Sequence, residues 1–193
     1  MSILTIAGSP SADSRSTLLL KHVAGLTYKQ NIVTTSIAVR DLPAQALVHG
    51  HYDSPAIKSV ASLIAGASAI VIATPIYKAS LSGVLKSFLD LLPPDAFKGK
   101  AVFPIGVGGS PAHLLAIDYS LKPVLVALGA QHLLTTVYAT DKQIWRLQNG
   151  SVEFDADIKA RLHLQVEELI EWYRRENPRF TPRPEPARLS AVV

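Results

Sequence analysis

The sequence predicts an α/β fold: a doubly wound open sheet of five parallel strands in the middle layer of an α/β/α sandwich. Short apolar runs alternate with longer amphipathic stretches along the chain, which is typical of repeated strand–helix units. Residues 69–73 and 101–105 are continuously apolar, as expected of strands covered on both faces. Right-handed crossovers between five such units favour the strand order 2-1-3-4-5, with a ligand site at the carboxyl ends of the first and third strands.

The individual elements follow from the same periodicity. Each short apolar run is assigned to a strand, and each amphipathic stretch with helical spacing is assigned to a helix. Residues 148–151 (Gln-Asn-Gly-Ser) are assigned to a turn. We therefore predict strands at 3–7, 32–38, 69–74, 101–107 and 133–139, and helices at 16–26, 55–66, 82–92, 111–128 and 155–175.

The composition indicates one folded domain followed by a tail. With 193 residues, of which 48% are hydrophobic, the chain can bury a sizeable core. From Pro178 the sequence becomes rich in proline and arginine. We therefore predict one domain over residues 1–176 and a C-terminal tail over residues 177–193 that is disordered or draped over a neighbour.

The composition also excludes several classes of function. There is no cysteine, which excludes disulfides and thiolate chemistry. No apolar run approaches the roughly 20 residues of a membrane span, and no signal-peptide pattern is visible, so a cytoplasmic location without membrane contact is expected. The net charge is +4, but the cations are scattered and form no basic stripe with aromatic residues, so no nucleic-acid partner is expected.

The loop after the first strand predicts an anion site. Gly8 begins the run Gly-Ser-Pro-Ser-Ala-Asp-Ser-Arg-Ser-Thr, and an apolar helical pattern begins at Leu18. Hydroxyls, one arginine and a helix N-terminus would face the same point. Neither the Walker A spacing nor the G-x-G-x-x-G fingerprint fits, and a single cation suits a phosphate monoester better than a pyrophosphate. An ordinary strand–helix turn with a serine cap remains the alternative.

Two further loops are expected at the same edge of the sheet. Pro75 stiffens the loop after the third strand, and Tyr77 offers a flat face and a hydroxyl. Gly108 and Gly109 follow the fourth strand and would let a planar group approach the backbone. A planar ring that carries one phosphate monoester describes FMN. The alternatives are a tight turn at the two glycines, a surface aromatic at Tyr77, and a helix-start role for His113.

Together these residues resemble the NAD(P)H-dependent FMN reductase family, which has a flavodoxin-like fold. The family's second motif, P-x-Y-N-x-S-x-P-G-x-L-K-N-x-L-D, matches residues 75–90, except that Lys78, Ser82 and Ser87 replace an asparagine, the second proline and another asparagine. Residues 112–116 and 118–123 resemble a narrower group that supplies reduced flavin to alkanesulfonate monooxygenases.

The resemblance implies a site and a reaction. Hydride would pass from NADPH or NADH to N5 of FMN, and reduced FMN would pass to an FMNH2-dependent monooxygenase. No residue is assigned as a general acid or base, because the flavin carries the chemistry. The family also implies a homo-oligomer, a dimer or tetramer. The implied FMN contacts are Ser9, Arg15, Ser16 and Thr17 at the phosphate, Pro75, Ile76 and Tyr77 on one side of the ring, and Gly108, Gly109 and Ser110 on the other, with His113 as a further candidate.

Pro123 lies within the predicted helix 111–128. It cannot donate a hydrogen bond to the carbonyl of Tyr119, four residues earlier, so a kink or a π-bulge is expected there. The resemblance implies a π-bulge at this tyrosine, at a subunit interface near the flavin. Tyr119 is therefore a candidate for modulating flavin transfer, and a plain proline kink is the alternative.

Sulfur is nearly absent from the sequence. Met1 is the single methionine and there is no cysteine. The hypothesis is that the protein is made when sulfur is scarce, and genomic bias is the alternative. The rival functions are a reductase that retains FMN and reduces quinones, azo dyes or chromate, a flavodoxin-type electron carrier, whose acidic surface would conflict with the positive charge, and an adaptor that binds another phosphate ligand.

Overall fold

The computed structural model describes residues 2–178, which form a central sheet with helices on both faces. The strands are β1 (Ser2–Ala7), β2 (Thr34–Ala38), β3 (Ala67–Tyr77), β4 (Ser80–Leu81), β5 (Ala101–Gly108), β6 (His132–Leu133), β7 (Val137–Thr140), β8 (Ile144–Arg146) and β9 (Val152–Phe154). The α-helices are α1 (Arg15–Lys29), α2 (Ala44–His49), α3 (Pro55–Gly66), α4 (Gly83–Leu89), α5 (Lys122–Ala127) and α6 (Ala156–Glu176).

The parallel sheet has the order β2-β1-β3-β5, and both β6 and β7 pair with the outer side of β5. This is the predicted order 2-1-3-4-5, so the predicted fold class is confirmed. Helices α1 and α6 pack on one face, and α3, α4 and α5 pack on the other. Because both faces are covered, every residue of β3 except Tyr77 is buried, and so is all of β5.

Two of the predicted strands need correction. The fifth strand is interrupted between β6 and β7, so it is two short strands. The second strand begins at Thr34 rather than at residue 32, because the backbone N–H of Ile32 donates to the carbonyl of Thr27 at 3.0 Å and closes the end of α1. The short antiparallel strand β4 and the β8–β9 hairpin were not predicted. The turn predicted at residues 148–151 joins the two strands of that hairpin, and Gly150 adopts φ +80° within it.

The prediction of one continuous helix over residues 111–128 is wrong. The segment contains a 3₁₀ turn (Pro111–His113), a π-helix (Ile117–Leu121) and then α5. Pro123 has no N–H for the carbonyl of Tyr119, and Lys122 donates its N–H to Ile117, five residues earlier, as in a π-helix. The irregularity expected at Tyr119 therefore takes the π-helical form.

The last helix ends at Glu176, one residue beyond the predicted end. Of the predicted tail, only Asn177 and Pro178 belong to the described part of the chain, and residues 179–193 lie outside it. Within residues 2–178, no helix has both the length and the apolar character needed to cross a membrane.

Candidate functional site

A cavity of about 420 Å³ opens at the carboxyl edge of the sheet. The chain leaves β1 and β3 toward opposite ends of the sheet, so their loops diverge and leave a crevice at the switch point. The loop after β7 closes a further side. The lining residues are Ser9, Ser11, Asp13, Ser14, Arg15 and Ser16 after β1, Pro75, Ile76 and Tyr77 at the end of β3, Val107, Gly108 and Gly109 at the end of β5, and Asp141 after β7.

The loop after β1 presents hydrogen-bond donors around the N-terminus of α1. Ser14 caps the helix, and its Oγ accepts from the backbone N–H of Ser16 at 3.2 Å. The hydroxyls of Ser14 and Ser16 are 2.7 Å apart, and the Oγ of Ser9 accepts from the N–H of Ser11 at 3.1 Å. The first turn of an α-helix has N–H groups without intrahelical partners and carries the positive end of the helix dipole. With Arg15 on the same turn, this loop can bind an anion.

Close packing fixes the start of this loop. The N–H of Gly8 donates to the carbonyl of Ala73 at 2.8 Å, and a Cβ at Gly8 would lie 2.7 Å from Cδ2 of Leu85. The buried Ser82 hydroxyl donates to the carbonyl of Gly8 and caps α4 by accepting from the N–H of Leu85 at 3.2 Å. The N–H of Ser82 donates to Oγ1 of Thr74 at 3.0 Å. Ser82 thus connects the first loop to the second at a position where the family motif has proline.

The end of β3 forms the second wall of the cavity. Residues 76 and 77 pair with β4 through a two-residue turn, in which Lys78 and Ala79 have φ of 50° and 60°. Positive φ at both central positions defines a type I′ turn, which favours Asn-Gly. Tyr77 lies just before this turn and is half-exposed, so it presents aromatic surface at the mouth of the cavity.

The third wall requires glycine at position 108. A Cβ there would lie 2.2 Å from the Tyr138 hydroxyl, which donates to the carbonyl of Ser110 at 2.6 Å. Burial, and to a lesser degree the Asp141 carboxylate, raises the pKa of the Tyr138 phenol. The hydroxyl therefore stays protonated at neutral pH and remains a donor. This bond holds the loop that follows Gly108 against β7.

Two ion pairs cross the site. Nη1 of Arg15 lies 3.6 Å from Oδ1 of Asp141, and Nη2 of Arg146 lies 3.3 Å from Oδ1 of Asp13. All four side chains are about half-exposed or more, so each pair adds little to stability. Their importance is electrostatic, because two carboxylates line a cavity whose loop favours anions.

The structure brings most of the predicted site residues together and separates four, namely three of the predicted FMN contacts and Tyr119. Thr17 lines a different cavity of about 260 Å³ beside β2, and its buried Oγ1 has no partner among the described residues. Ser110, His113 and Tyr119 do not line the main cavity, and Tyr119 is 79% exposed on the π-helix. The predicted residues that do line it are Ser9, Arg15, Ser16, Pro75, Ile76, Tyr77, Gly108 and Gly109.

Five lining residues were not among the predicted FMN contacts. Ser11, Asp13 and Ser14 lie within the loop predicted to bind an anion, and Val107 precedes the two predicted glycines. Asp141 was missed because the fifth strand was not followed to its carboxyl end. The rule that placed the other loops applies there too, since parallel strands end at one edge of the sheet.

The fold, with a crevice at the carboxyl edge of its sheet, defines a class of doubly wound α/β proteins, and the comparisons with known proteins place the chain in that class. The model of the family described as NADPH-dependent FMN reductase matches residues 1–144. An FMN reductase (NADPH) of Pseudomonas putida is 46% identical over 168 residues, which cover 86% of this chain and 85% of that protein. An FMN reductase (NADPH) of Escherichia coli is 39% identical over 167 residues, covering 86% and 87%.

A solved structure is also similar. The apo form of an NADH:FMN oxidoreductase, EMOB, superposes with a TM-score of 0.77 at 33% identity and covers 96% of this chain and 91% of that one. The chain belongs to the NADPH-dependent FMN reductase family. It is an oxidoreductase whose ligands are FMN and NAD(P)H, which confirms the predicted enzyme class.

Proposed function

We propose that this FMN reductase supplies reduced FMN to an FMNH2-dependent monooxygenase of the alkanesulfonate type, and that it does so when sulfur is scarce. The composition supports this role, because a protein with one methionine and no cysteine in 193 residues requires little sulfur for its synthesis. The cavity supports the release of flavin, because it is open and its arginine faces a carboxylate.

The FMN phosphate is assigned to the loop after β1. The donors there are the serine hydroxyls, the first-turn amides of α1 and the Arg15 guanidinium, which together suit one phosphate monoester. The flat, partly apolar walls formed by Ile76, Tyr77 and Gly108 suit a planar ring. Bound FMN supplies the hydride acceptor for the nicotinamide. The protein binds and orients both ligands, and no side chain is assigned a proton-transfer role.

Oligomerisation is proposed on the exposed apolar face around the π-helix. Leu114, Leu115, Tyr119 and Val126 are each at least 50% exposed and lie on one continuous segment. Large apolar side chains exposed together mark interaction surfaces. This segment follows the cavity wall at Gly109 directly, so an interface here would lie near the flavin. A dimer or tetramer formed through this face is the proposed state.

The release of reduced FMN is tested with purified protein. NADPH and NADH oxidation are measured with and without added FMN, alongside the flavin content of the protein. We expect low flavin content, oxidation that requires added FMN with multiple turnovers, and product formation when an alkanesulfonate monooxygenase is added. Stoichiometric retained FMN with direct reduction of quinones, azo dyes or chromate would instead support the rival reductase.

The phosphate assignment has its own test. Arg15→Ala should weaken FMN binding by about tenfold, because a charge-assisted bond to phosphate contributes about 1.5–3 kcal/mol and is partly screened here. Riboflavin lacks the phosphate, so its affinity should not change. Lys21→Ala, which removes a cation elsewhere on α1, is the control. Equal losses for FMN and riboflavin would place the phosphate elsewhere.

The sulfur hypothesis is tested by transcription. Transcript levels of this gene are compared between sulfate-replete and sulfate-starved cells. We expect an increase on starvation, and unchanged levels would leave genomic bias as the explanation of the composition.

A further inference from the structure

Local structure fixes Asp141 beside the cavity. Thr140, the last residue of β7, pairs in register with Gly108 at the end of β5. Its N–H and hydroxyl both donate to Oε1 of Gln143, at 2.9 and 3.1 Å, and so cap the 3₁₀ turn that begins at Asp141. The backbone at Asp141 is therefore fixed by the sheet and by this cap at the carboxyl edge, and its half-exposed side chain lines the same cavity as Arg15.

The charges at this cavity do not suit tight retention of a phosphate. Among residues 2–178, the charged side chains that line it are those of Asp13 and Asp141, which are acidic, and Arg15, which is basic. Arg146 lies against Asp13, whereas Arg15 lies against Asp141, with 3.6 Å between Nη1 and Oδ1. A phosphate monoester carries between about −1.5 and −2 charges at neutral pH. It must therefore compete with Asp141 for the guanidinium and also meets its repulsion.

We propose that Asp141 is an affinity-tuning residue that competes with the FMN phosphate for Arg15, weakens FMN binding and speeds the release of flavin. The inference rests on the proposed function, which places the phosphate in the loop after β1. Arg15 pairs with Asp141 when no phosphate is present and exchanges this partner for the phosphate on binding. An enzyme that must release its flavin to another protein turns over faster when the flavin is bound more weakly.

The test is a charge-removing substitution with matched ligands. Asp141→Asn keeps the size of the side chain and removes its charge, and Asp141→Ala is a second neutral variant. Dissociation constants for FMN and riboflavin are measured by flavin fluorescence. We expect FMN to bind about threefold to tenfold more tightly, because both a competitor and a nearby like charge are lost in a partly screened site. Riboflavin binding should not change, which also shows that the cavity remains folded.

Two controls separate the local charge from the net charge. Asp141→Glu retains the carboxylate and should not tighten FMN binding. Asp90→Asn removes a carboxylate that pairs with Lys86 and does not line the cavity. It therefore changes the net charge by the same amount as Asp141→Asn, but at a different place. It should leave FMN binding unchanged. An unchanged FMN affinity in both neutral variants, equal tightening of riboflavin, or the same effect from Asp90→Asn would overturn the inference.

Arg15→Ala distinguishes failure of the phosphate assignment from failure of the role proposed for Asp141. If this variant loses the preference for FMN over riboflavin while Asp141→Asn has no effect, the phosphate assignment stands and the role of Asp141 fails. If Arg15→Ala leaves that preference intact, the phosphate lies elsewhere and both fail. In the double variant Arg15→Ala/Asp141→Asn, the tightening caused by Asp141→Asn should be smaller than in the wild-type background, since the competition requires Arg15 and only the like-charge repulsion is then relieved.

Discussion

Ser82→Ala tests how the fold supports the loop after β1. Ser82 is 1% exposed, and its hydroxyl both donates to the Gly8 carbonyl and accepts from the Leu85 N–H as the N-cap of α4. Alanine tolerates the backbone at φ −62° and ψ 143°, so the change removes these two bonds without backbone strain. The comparison therefore isolates the hydroxyl.

The magnitude follows from the two bonds. Loss of an N-cap costs about 0.5–2 kcal/mol, and a buried acceptor left without its donor costs about 1–3 kcal/mol. We expect the free energy of unfolding to fall by about 2–4 kcal/mol, which lowers the melting temperature by about 5–15 °C in a domain of this size. The assay is urea unfolding followed by circular dichroism at one protein concentration.

Ser87→Ala is the matched control on the same helix. The Ser87 hydroxyl donates to the Gly83 carbonyl at 3.0 Å near the surface, so its loss should change stability by no more than about 0.5 kcal/mol. A loss below about 1 kcal/mol for Ser82→Ala, or equal losses in the two variants, would refute the reasoning. Ser82→Pro restores the family residue but removes the N–H that donates to Thr74, so it should not restore wild-type stability.

Three further substitutions test other parts of the structure. Tyr119→Ala should leave the circular dichroism spectrum intact and change FMN affinity and turnover, and wild-type values of both would show that the tyrosine is incidental. The pKa of His22 is lowered, first by burial and then by the charges of His163, Lys159 and Lys29. The unfolded chain therefore binds a proton at this histidine more readily than the folded chain does. As a result, the free energy of unfolding falls as the pH drops below about 6.5. His22→Phe should reduce this fall in urea unfolding at acidic and neutral pH, and an undiminished fall would contradict the assignment. Ala79→Gly should raise stability by about 1 kcal/mol, since glycine adopts the positive φ of the type I′ turn without steric cost; a destabilised variant in the same urea assay would disprove this strain.

The fold was predictable because its signals are local and repeated. The buried strands β3 and β5 appear in the sequence as unbroken apolar runs, and the crossover rule then limits the strand order. The irregularity at Tyr119 was also predictable, since Pro123 removes one identifiable hydrogen bond. Its π-helical form was one of two outcomes that the sequence left open.

The same local reasoning failed where short elements depend on distant partners. Strand β4 has two residues and exists because Leu81 pairs with Ile76. The break between β6 and β7 likewise leaves no compositional sign. Such short segments carry too little periodicity to be assigned from sequence, and their pairing energy comes from neighbours that only the folded chain supplies.

The amino-acid sequence by itself determined the doubly wound sheet, its strand order and the serine-rich loop after β1, because apolar periodicity and loop composition are properties of neighbouring residues. Only the tertiary structure decided which side chains share the cavity. It turned Thr17 toward a second cavity, brought Asp141 to within 3.6 Å of Arg15 across 126 positions of sequence, and made Ser82 the link between two loops. Contacts of this kind depend on how strands and helices pack in three dimensions, and no local pattern in the chain encodes them.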